Sequence, residues 1–213
     1  MNFVVKAFLL LCVCVGFVFA QVRGTFTDPR DGRNYQTVNI NGTVWMARNL
    51  NFEMGSSACY NNVSGDCGLD GRLYNWDDAM SACPSGWRLP NNEDWSRLAR
   101  AAGGRRMPEA NYANWPGVGD KLKASNTWGD GREGTNQFHF SARPSGMRTI
   151  DGFGRYNGFH GHGRYGNWWS ASWGPNSELR NASAWMMAVG NKDLGENYGV
   201  SMDQGYSVRC IHP

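Results

Sequence analysis

Lysine is scarce in this 213-residue chain; arginine supplies most of its 21 basic side chains. Arg105-Arg106 is the only basic doublet and the formal net charge is +3. Nucleic acid, which selects a concentrated basic patch, is therefore not an expected partner. Histidine is also rare, with four in all, and neither H-E-x-x-H nor C-x-x-C occurs, which argues against a zinc site. There is no G-x-S-x-G turn and no glycine-rich phosphate loop ahead of a helix. The most legible hydrolase and nucleotide-binding signatures are thus missing. Beyond residue 20 no stretch is apolar enough to span a bilayer.

What is present begins with an export signal. Lys6 is followed by an apolar run, Ala7 to Phe19, ending Val18-Phe19-Ala20 ahead of Gln21. A positive start, an apolar centre and a small residue at the cut read as a cleavable signal peptide over residues 1–20. Cys12 and Cys14 lie inside the run, preceded by Leu11 and Val13 where a lipobox wants a small residue, so they leave with the signal. Residues 21–213 then form one domain, able to bury roughly 70% of its unfolded surface. Losing Lys6 takes the charge from +3 to +2. The expected location is extracellular or the outer cell envelope, with no membrane span after cleavage.

Four cysteines remain: Cys59, Cys67, Cys83 and Cys210. In an exported chain an even number reads as two disulfides, with three possible pairings. The favoured set is Cys59–Cys67, closing a small turn-rich loop, and Cys83–Cys210, tying a mid-chain helix to the last strand. Loop entropy gives them about 2.5 and 5 kcal/mol respectively. The 28 glycines are about twice the usual share, and there are ten tryptophans. Such a chain is loop-heavy, with aromatics filling a core that lacks long regular elements.

Asn41-Gly42 separates two β-prone runs, Tyr35 to Ile40 and Thr43 to Ala47, and predicts a hairpin. Residues 51–72 read as loop. Asn75 caps a short helix through Ala82, with Asp77 and Asp78 in its first turn. A second helix opens at Pro90 to Asp94, carries Trp95, Leu98, Ala99 and Ala102 on one face, and stops at Gly103-Gly104. A short third helical piece is read over Gly119 to Ala124. Strands are read at 138–142, 168–173, 184–189, 198–202 and 207–211. Between them, Gly152 to Gly166 holds six glycines interleaved with Phe153, Tyr156, Phe159, His160, His162 and Tyr165, and reads as a long loop. The fold class is α+β: two short helices, a hairpin and several short antiparallel strands, loop-rich and disulfide-closed, with neighbouring termini.

Six motifs occur in order: Trp45-Met46-Ala47-Arg48-Asn49-Leu50-Asn51, Gly71-Arg72-Leu73-Tyr74-Asn75-Trp76, Cys83-Pro84-Ser85-Gly86-Trp87-Arg88-Leu89-Pro90 with Trp95, Phe140 to Gly146, Trp168 to Ser172, and Ser207-Val208-Arg209-Cys210. Together they resemble the Fibrobacter succinogenes major paralogous domain, over about Thr25 to His212. Arg48, where that family often has Glu, and the long Gly/aromatic stretch depart from its pattern. The resemblance implies a C-type-lectin-like fold akin to the formylglycine-generating enzymes, and a secreted or envelope location in Gram-negative bacteria. It implies no biochemical role.

Core filling is the first reading of Trp45, Trp76, Trp87, Trp95 and Trp168. Arg88 and Arg209 are read as partners of buried carboxylates or carbonyls. No cofactor is expected. Calcium is the one ion in contention, at Asp66 and Asp70, although these also read as surface turn acids and no sugar-binding Glu-Pro-Asn or Gln-Pro-Asp occurs. His160-Gly161-His162 lacks the further ligands a transition metal needs and reads as solvated loop. Catalysis is not expected: Glu133, Glu178, Asp193 and Glu196 are acids by type only, and nothing pairs them. Binding suits the chain better, because a Gly/aromatic loop on a closed scaffold is a common recognition surface. The expected contact residues are Tyr156, Phe159, His160, His162, Arg164, Tyr165, Asn167, Trp173, Asn176, Glu178 and Arg180. The expected ligand is a polysaccharide or other cell-surface ligand. The competing reading is a protein-binding adhesin or structural surface subunit, including a lectin-like protein diversified by retroelements.

Overall fold

The Asn41-Gly42 pair turns the chain as its sequence dictates. Both residues take positive φ, 51° and 88°, which suits a two-residue hairpin between right-twisted strands. In the computed structural model, which describes residues 22–110, 112–129, 134–175 and 177–213, this turn joins β2 (Asn34–Ile40) to β3 (Thr43–Met46). The expected signal segment lies outside the described residues. Strand β1 (Arg23–Thr27) pairs with β2, and β13 (Ile211–His212) pairs with β3, so the two ends of the domain share one four-stranded sheet.

The intervening chain runs α1 (Ser64–Asp70), β4 (Leu73–Tyr74), α2 (Trp76–Ala82), α3 (Asn92–Ala101), β5 (Met107–Pro108), β6 (Tyr112–Trp115), α4 (Val118–Leu122), β7 (Ser145–Ile150), β8 (Tyr156–His162), β9 (Tyr165–Trp173), β10 (Asn181–Ala188), β11 (Leu194–Ser201) and β12 (Tyr206–Ser207). A larger sheet has the order β4-β12-β9-β10-β11-β6-β5, with β7 beside β9 and β8 hairpinned onto β7. The class is α+β, rich in sheet and loop. Cys59–Cys67 and Cys83–Cys210 are both bridged, with Cα separations of 5.1 and 5.8 Å.

The helix caps follow from side-chain chemistry. Asn75 accepts the Asp78 amide at the start of α2. Asn91 accepts the Asp94 amide, and Asp94 in turn accepts the Asn91 amide, a complete capping box for α3. Two expectations fail locally. Residues 51–72 are not all loop, because Ser64–Asp70 forms α1 despite two glycines, anchored by the Cys67 bridge to the residue preceding the 3-10 turn Tyr60–Asn62. There are thus four α-helices among the described residues: the two expected, the short third piece, found at Val118–Leu122, and the unexpected α1. Residues 138–142 are not a strand. His139 and Ser141 take positive φ, and the Asn136 side chain accepts the Ser141 amide, so apolar alternation is bent into a turn that still buries Phe140 and Ala142.

The expected strand at 207–211 is likewise split. Ser207 stands in the large sheet and Ile211 in the small one, and Arg209 lies buried between. Its guanidinium donates to Asn49 Oδ1 and to the carbonyls of Met46, Phe140 and Ser141. Burial pulls its pKa down to about 9. Asn49 is the second half of this hub. Its Oδ1 also accepts Trp168 Nε1–H at 2.9 Å, and its Nδ2 donates to Asp70 O, Ser145 Oγ and Ser207 Oγ. Four of the ordered sequence motifs therefore meet at one buried polar network, which satisfies itself and holds the two sheets in register.

Seven of the ten tryptophans are less than 2% exposed. Each removes about 200 Å² from water, on the order of 5 kcal/mol before side-chain entropy is subtracted. Trp45, Trp95 and Trp168 pack in one cluster with Phe140 and Trp185; Trp76 packs in the other with Tyr74 and Trp169. Trp87 is half-buried against Phe26. These motif residues build the scaffold.

Candidate functional site

The Gly/aromatic stretch is where structure and sequence reading part most. Gly152–Gly166 does not form a long loop: its centre is strand β8, paired antiparallel to β7 from Ser145↔His162 to Ile150↔Tyr156, and β9 starts at Tyr165. Several of these glycines relieve close packing instead. A Cβ on Gly161 would meet the Tyr165 ring at 2.4 Å, and one on Gly166 would meet Trp168 at 2.4 Å.

One face of β8 looks onto the loop closed by Cys59–Cys67. Between them lies an open groove of about 490 Å³ lined by Asn61, Asn62, Arg148, Tyr156, Gly158 and Phe159. Phe159 packs on Tyr60, ring centroids 5.4 Å apart, and His162 packs on the same ring at 4.9 Å. His162 Nε2 lies 2.7 Å from Asp70 Oδ2, and Arg143 Nε donates to Asp70 Oδ1 at 2.7 Å. The strand and α1 are thereby fixed to each other. Asp70 is 5% exposed, so it is not a surface turn acid, and both its carboxylate oxygens are engaged by Arg143 and His162. Asp66 lies in the first turn of α1. Among the described residues no group of three or more His, Cys, Asp or Glu is placed to hold a metal.

Arg148 forms the other side of the groove. Its guanidinium carbon lies 3.4 Å from the centroid of the Tyr156 ring and its Nη2 donates to Ser56 O at 2.6 Å. Ser56 Oγ stands 3.3 Å from Tyr156 Oη, and Asp78 Oδ2 accepts both the Ser56 amide and its hydroxyl. Burial, opposed in part by Tyr156 and Asp78, holds the Arg148 pKa below its ordinary value.

The expected contact residues divide into groups. Tyr156, Phe159, His160 and His162 share β8, with Tyr156 and Phe159 in the groove. Arg164 is exposed in the β8–β9 turn, and Tyr165 is half-buried over Gly161. Asn167 does not reach the surface: it is 5% exposed, because its position on β9 points into the core. Trp173 and Arg180 lie away from the groove, against α2, and Glu178 is exposed in a 3-10 turn between β9 and β10. Trp173 is 56% exposed and packs on Trp76 at 5.0 Å, while Arg180 pairs with Asp77 at 2.8 Å. Asn176 lies outside the described residues, as does Glu133. Of the acids named by type, Glu196 is buried against Arg106, and Asp193 accepts the Gly117 amide.

The groove residues that the sequence reading missed are Asn61, Asn62 and Arg148. The two asparagines were legible only as a polar pair inside the small disulfide loop; both take left-handed backbone, φ 52° and 58°. Arg148 follows Met147 in an unremarked segment and becomes a groove residue only through its pairing with β8.

No curated protein and no solved structure matches the chain. The model of the Fibrobacter succinogenes major domain matches residues 38–212. That span holds both disulfides, the Asn49–Arg209 hub and both walls of the groove, so by its scaffold as well as its extent the chain belongs to the Fibrobacter succinogenes major domain family.

Proposed function

We propose that this protein is a noncatalytic binding module, exported to the cell envelope or beyond, which holds a polysaccharide in the groove between β8 and the Cys59–Cys67 loop. The observation that carries this reading is the groove's lining: aromatic Tyr156 and Phe159 together with the amides of Asn61 and Asn62 and the guanidinium of Arg148. Flat rings stack on sugar faces, and side-chain amides give and accept the oriented hydrogen bonds that hydroxyls need. A C-type-lectin-like architecture is part of the same proposal. Two disulfides favour an oxidising compartment, in keeping with a signal peptide over residues 1–20.

The test is a screen of the oxidised protein against soluble and insoluble polysaccharides, followed by Phe159→Ala and Trp173→Ala. Saturable binding weakened by Phe159→Ala, and untouched by Trp173→Ala, supports the groove. Absence of binding to every polysaccharide overturns it.

A protein-binding adhesin is the second reading. It is favoured by the exposed apolar side chains at α2, Met80 and the Trp173 that packs on Trp76, 45% and 56% exposed. Loss of a protein partner in Trp173→Ala, with Phe159→Ala unaffected, would select it.

A further inference from the structure

We infer that the groove recognises an anionic saccharide, one bearing a carboxylate or sulfate group, and that Arg148 receives the anionic oxygens; this rests on the polysaccharide reading above and narrows it.

The argument is one of unmet charge. Arg30, Arg72, Arg88, Arg106 and Arg143 each face a carboxylate. Arg209, wholly buried, is surrounded by one amide and three backbone oxygens. Arg148 is treated differently. It is 8% exposed, yet among the described residues no carboxylate is within ion-pair reach. Nη2 has one carbonyl partner, the Tyr156 side chain adds a neutral hydrogen-bond partner, and buried Nε has none. Asp78 is the nearest acid acting on it, but that carboxylate accepts from Ser56. A guanidinium taken out of water with this few acceptors is costly unless something supplies them.

The site around it is built to keep the charge in place. The guanidinium carbon sits over the Tyr156 ring, 3.4 Å from its centroid. Backbone hydrogen bonds in both directions between Arg148 and Gly205 fix its Cα, and a Cβ on Gly205 would strike Arg148 Cβ at 2.8 Å. The cation is therefore held at the wall of an open groove, beside surfaces that suit a sugar ring. A planar guanidinium matches a carboxylate or sulfate oxygen pair better than it matches a hydroxyl.

The experiment compares the oxidised protein on polygalacturonate, on dextran sulfate, on neutral dextran, and on polygalacturonate whose carboxyl groups have been reduced to alcohols. Ionic strength is held at about 0.15 M so that diffuse charge attraction is screened. Binding to polygalacturonate that falls about 10- to 100-fold on carboxyl reduction identifies a uronate carboxylate; binding to dextran sulfate alone identifies a sulfate ester. Either result supports the inference. Arg148→Gln should abolish the preference for the charged polymer, while Arg100→Ala, on the exposed face of α3, should leave it intact. Because Arg148→Gln could unfold the groove, its melting curve is recorded, and the carboxyl-reduced ligand makes the same comparison on the unaltered protein. Equal affinity for charged and neutral chains overturns the anionic inference and leaves the polysaccharide reading standing. Loss of preference in Arg100→Ala equal to that in Arg148→Gln also overturns it. No binding to any of the four overturns the anionic inference, and the polysaccharide reading falls with it only when the wider screen is blank as well.

Discussion

Asp70 and His162 meet across 92 residues of sequence, Oδ2 to Nε2 at 2.7 Å, and this contact fixes the two elements that flank the groove to each other. Asp70 ends α1 and His162 ends β8, so the pair joins the disulfide loop to the β7–β8 hairpin. Asp70→Asn keeps the shape but leaves Arg143 facing an uncharged group. The expected cost is about 1–3 kcal/mol, or roughly 2–4 °C of melting temperature per kcal/mol for a chain this size. His162→Ala should cost less, since that side chain is 43% exposed. Thermal unfolding of both variants checks the order; equal losses would mean that Arg143 contributes nothing to the site.

Gly146 explains why β7 can run so close to β8. Its φ is +71°, and a Cβ there would meet His160 O at 2.6 Å, Tyr60 Cε2 at 2.7 Å and His162 N at 2.8 Å. Two of these are backbone atoms and cannot swing aside. Gly146→Ala should therefore part the hairpin from Tyr60 and destabilise the domain by more than about 1 kcal/mol, beyond the ordinary entropic gain of Gly→Ala. Gly152→Ala, where nothing lies within 4 Å and φ is not positive, is the matched control and should gain about 0.4–1 kcal/mol. Urea unfolding at equal protein concentration separates the two.

These glycines also mark where sequence reading stopped. The hairpin at Asn41-Gly42, the caps at Asn75 and Asn91, and both disulfides were legible because each is a local chemical signal: a positive-φ pair, a side-chain acceptor, an even set of thiols. Strand β8 was not. Alternating glycine and aromatic residues look like a loop when the partner strand is unknown, and Ser145–Ile150 carries no strong β pattern of its own. Helix α1 was hidden for a similar reason, since Gly65 and Gly68 lower its propensity and its support comes from the Cys59 bridge and from Asp70. The groove needs both hidden elements, so its aromatic side was foreseen and its Asn61, Asn62 and Arg148 side was not.

Asp94 makes stability depend on acid. Burial alone would raise its pKa, but hydrogen bonds from Arg88, the Asn91 amide and Arg97 outweigh burial and leave it below the ordinary value of 3.8. The unfolded chain then binds a proton more readily than the folded one near that pH. Stability from this group is fully present above 3.8 and is lost as pH falls through the folded-state value. Asp28, buried against Arg30, acts in the same direction. Chemical unfolding between about pH 2 and 6 should show stability falling on the acid side. In Asp94→Asn the curve should be lower at pH 6 and flatter below pH 4; an unchanged slope would show that other carboxylates carry the acid response.

The two disulfides should act on different parts of the molecule. Cys83–Cys210 closes a sequence separation of 127 and joins the end of α2 to the crossing between the two sheets, beside Arg209. Its removal as Cys83→Ala/Cys210→Ala should lower global stability by up to about 5 kcal/mol on loop entropy. Cys59–Cys67 spans a separation of 8. Its loss should cost about 2.5 kcal/mol on the same basis, but the effect should concentrate in α1 and the Tyr60–Asn62 turn, which the bridge ties to each other. Hydrogen exchange distinguishes the cases. Cys59→Ala/Cys67→Ala should speed exchange at the Asn62 and Gly71 amides, which donate to Cys59 O and Cys67 O, while the β9–β10 ladder stays protected. Faster exchange throughout that ladder would mean that the small bridge supports the whole fold, and that the wall of the groove is not an independent local unit.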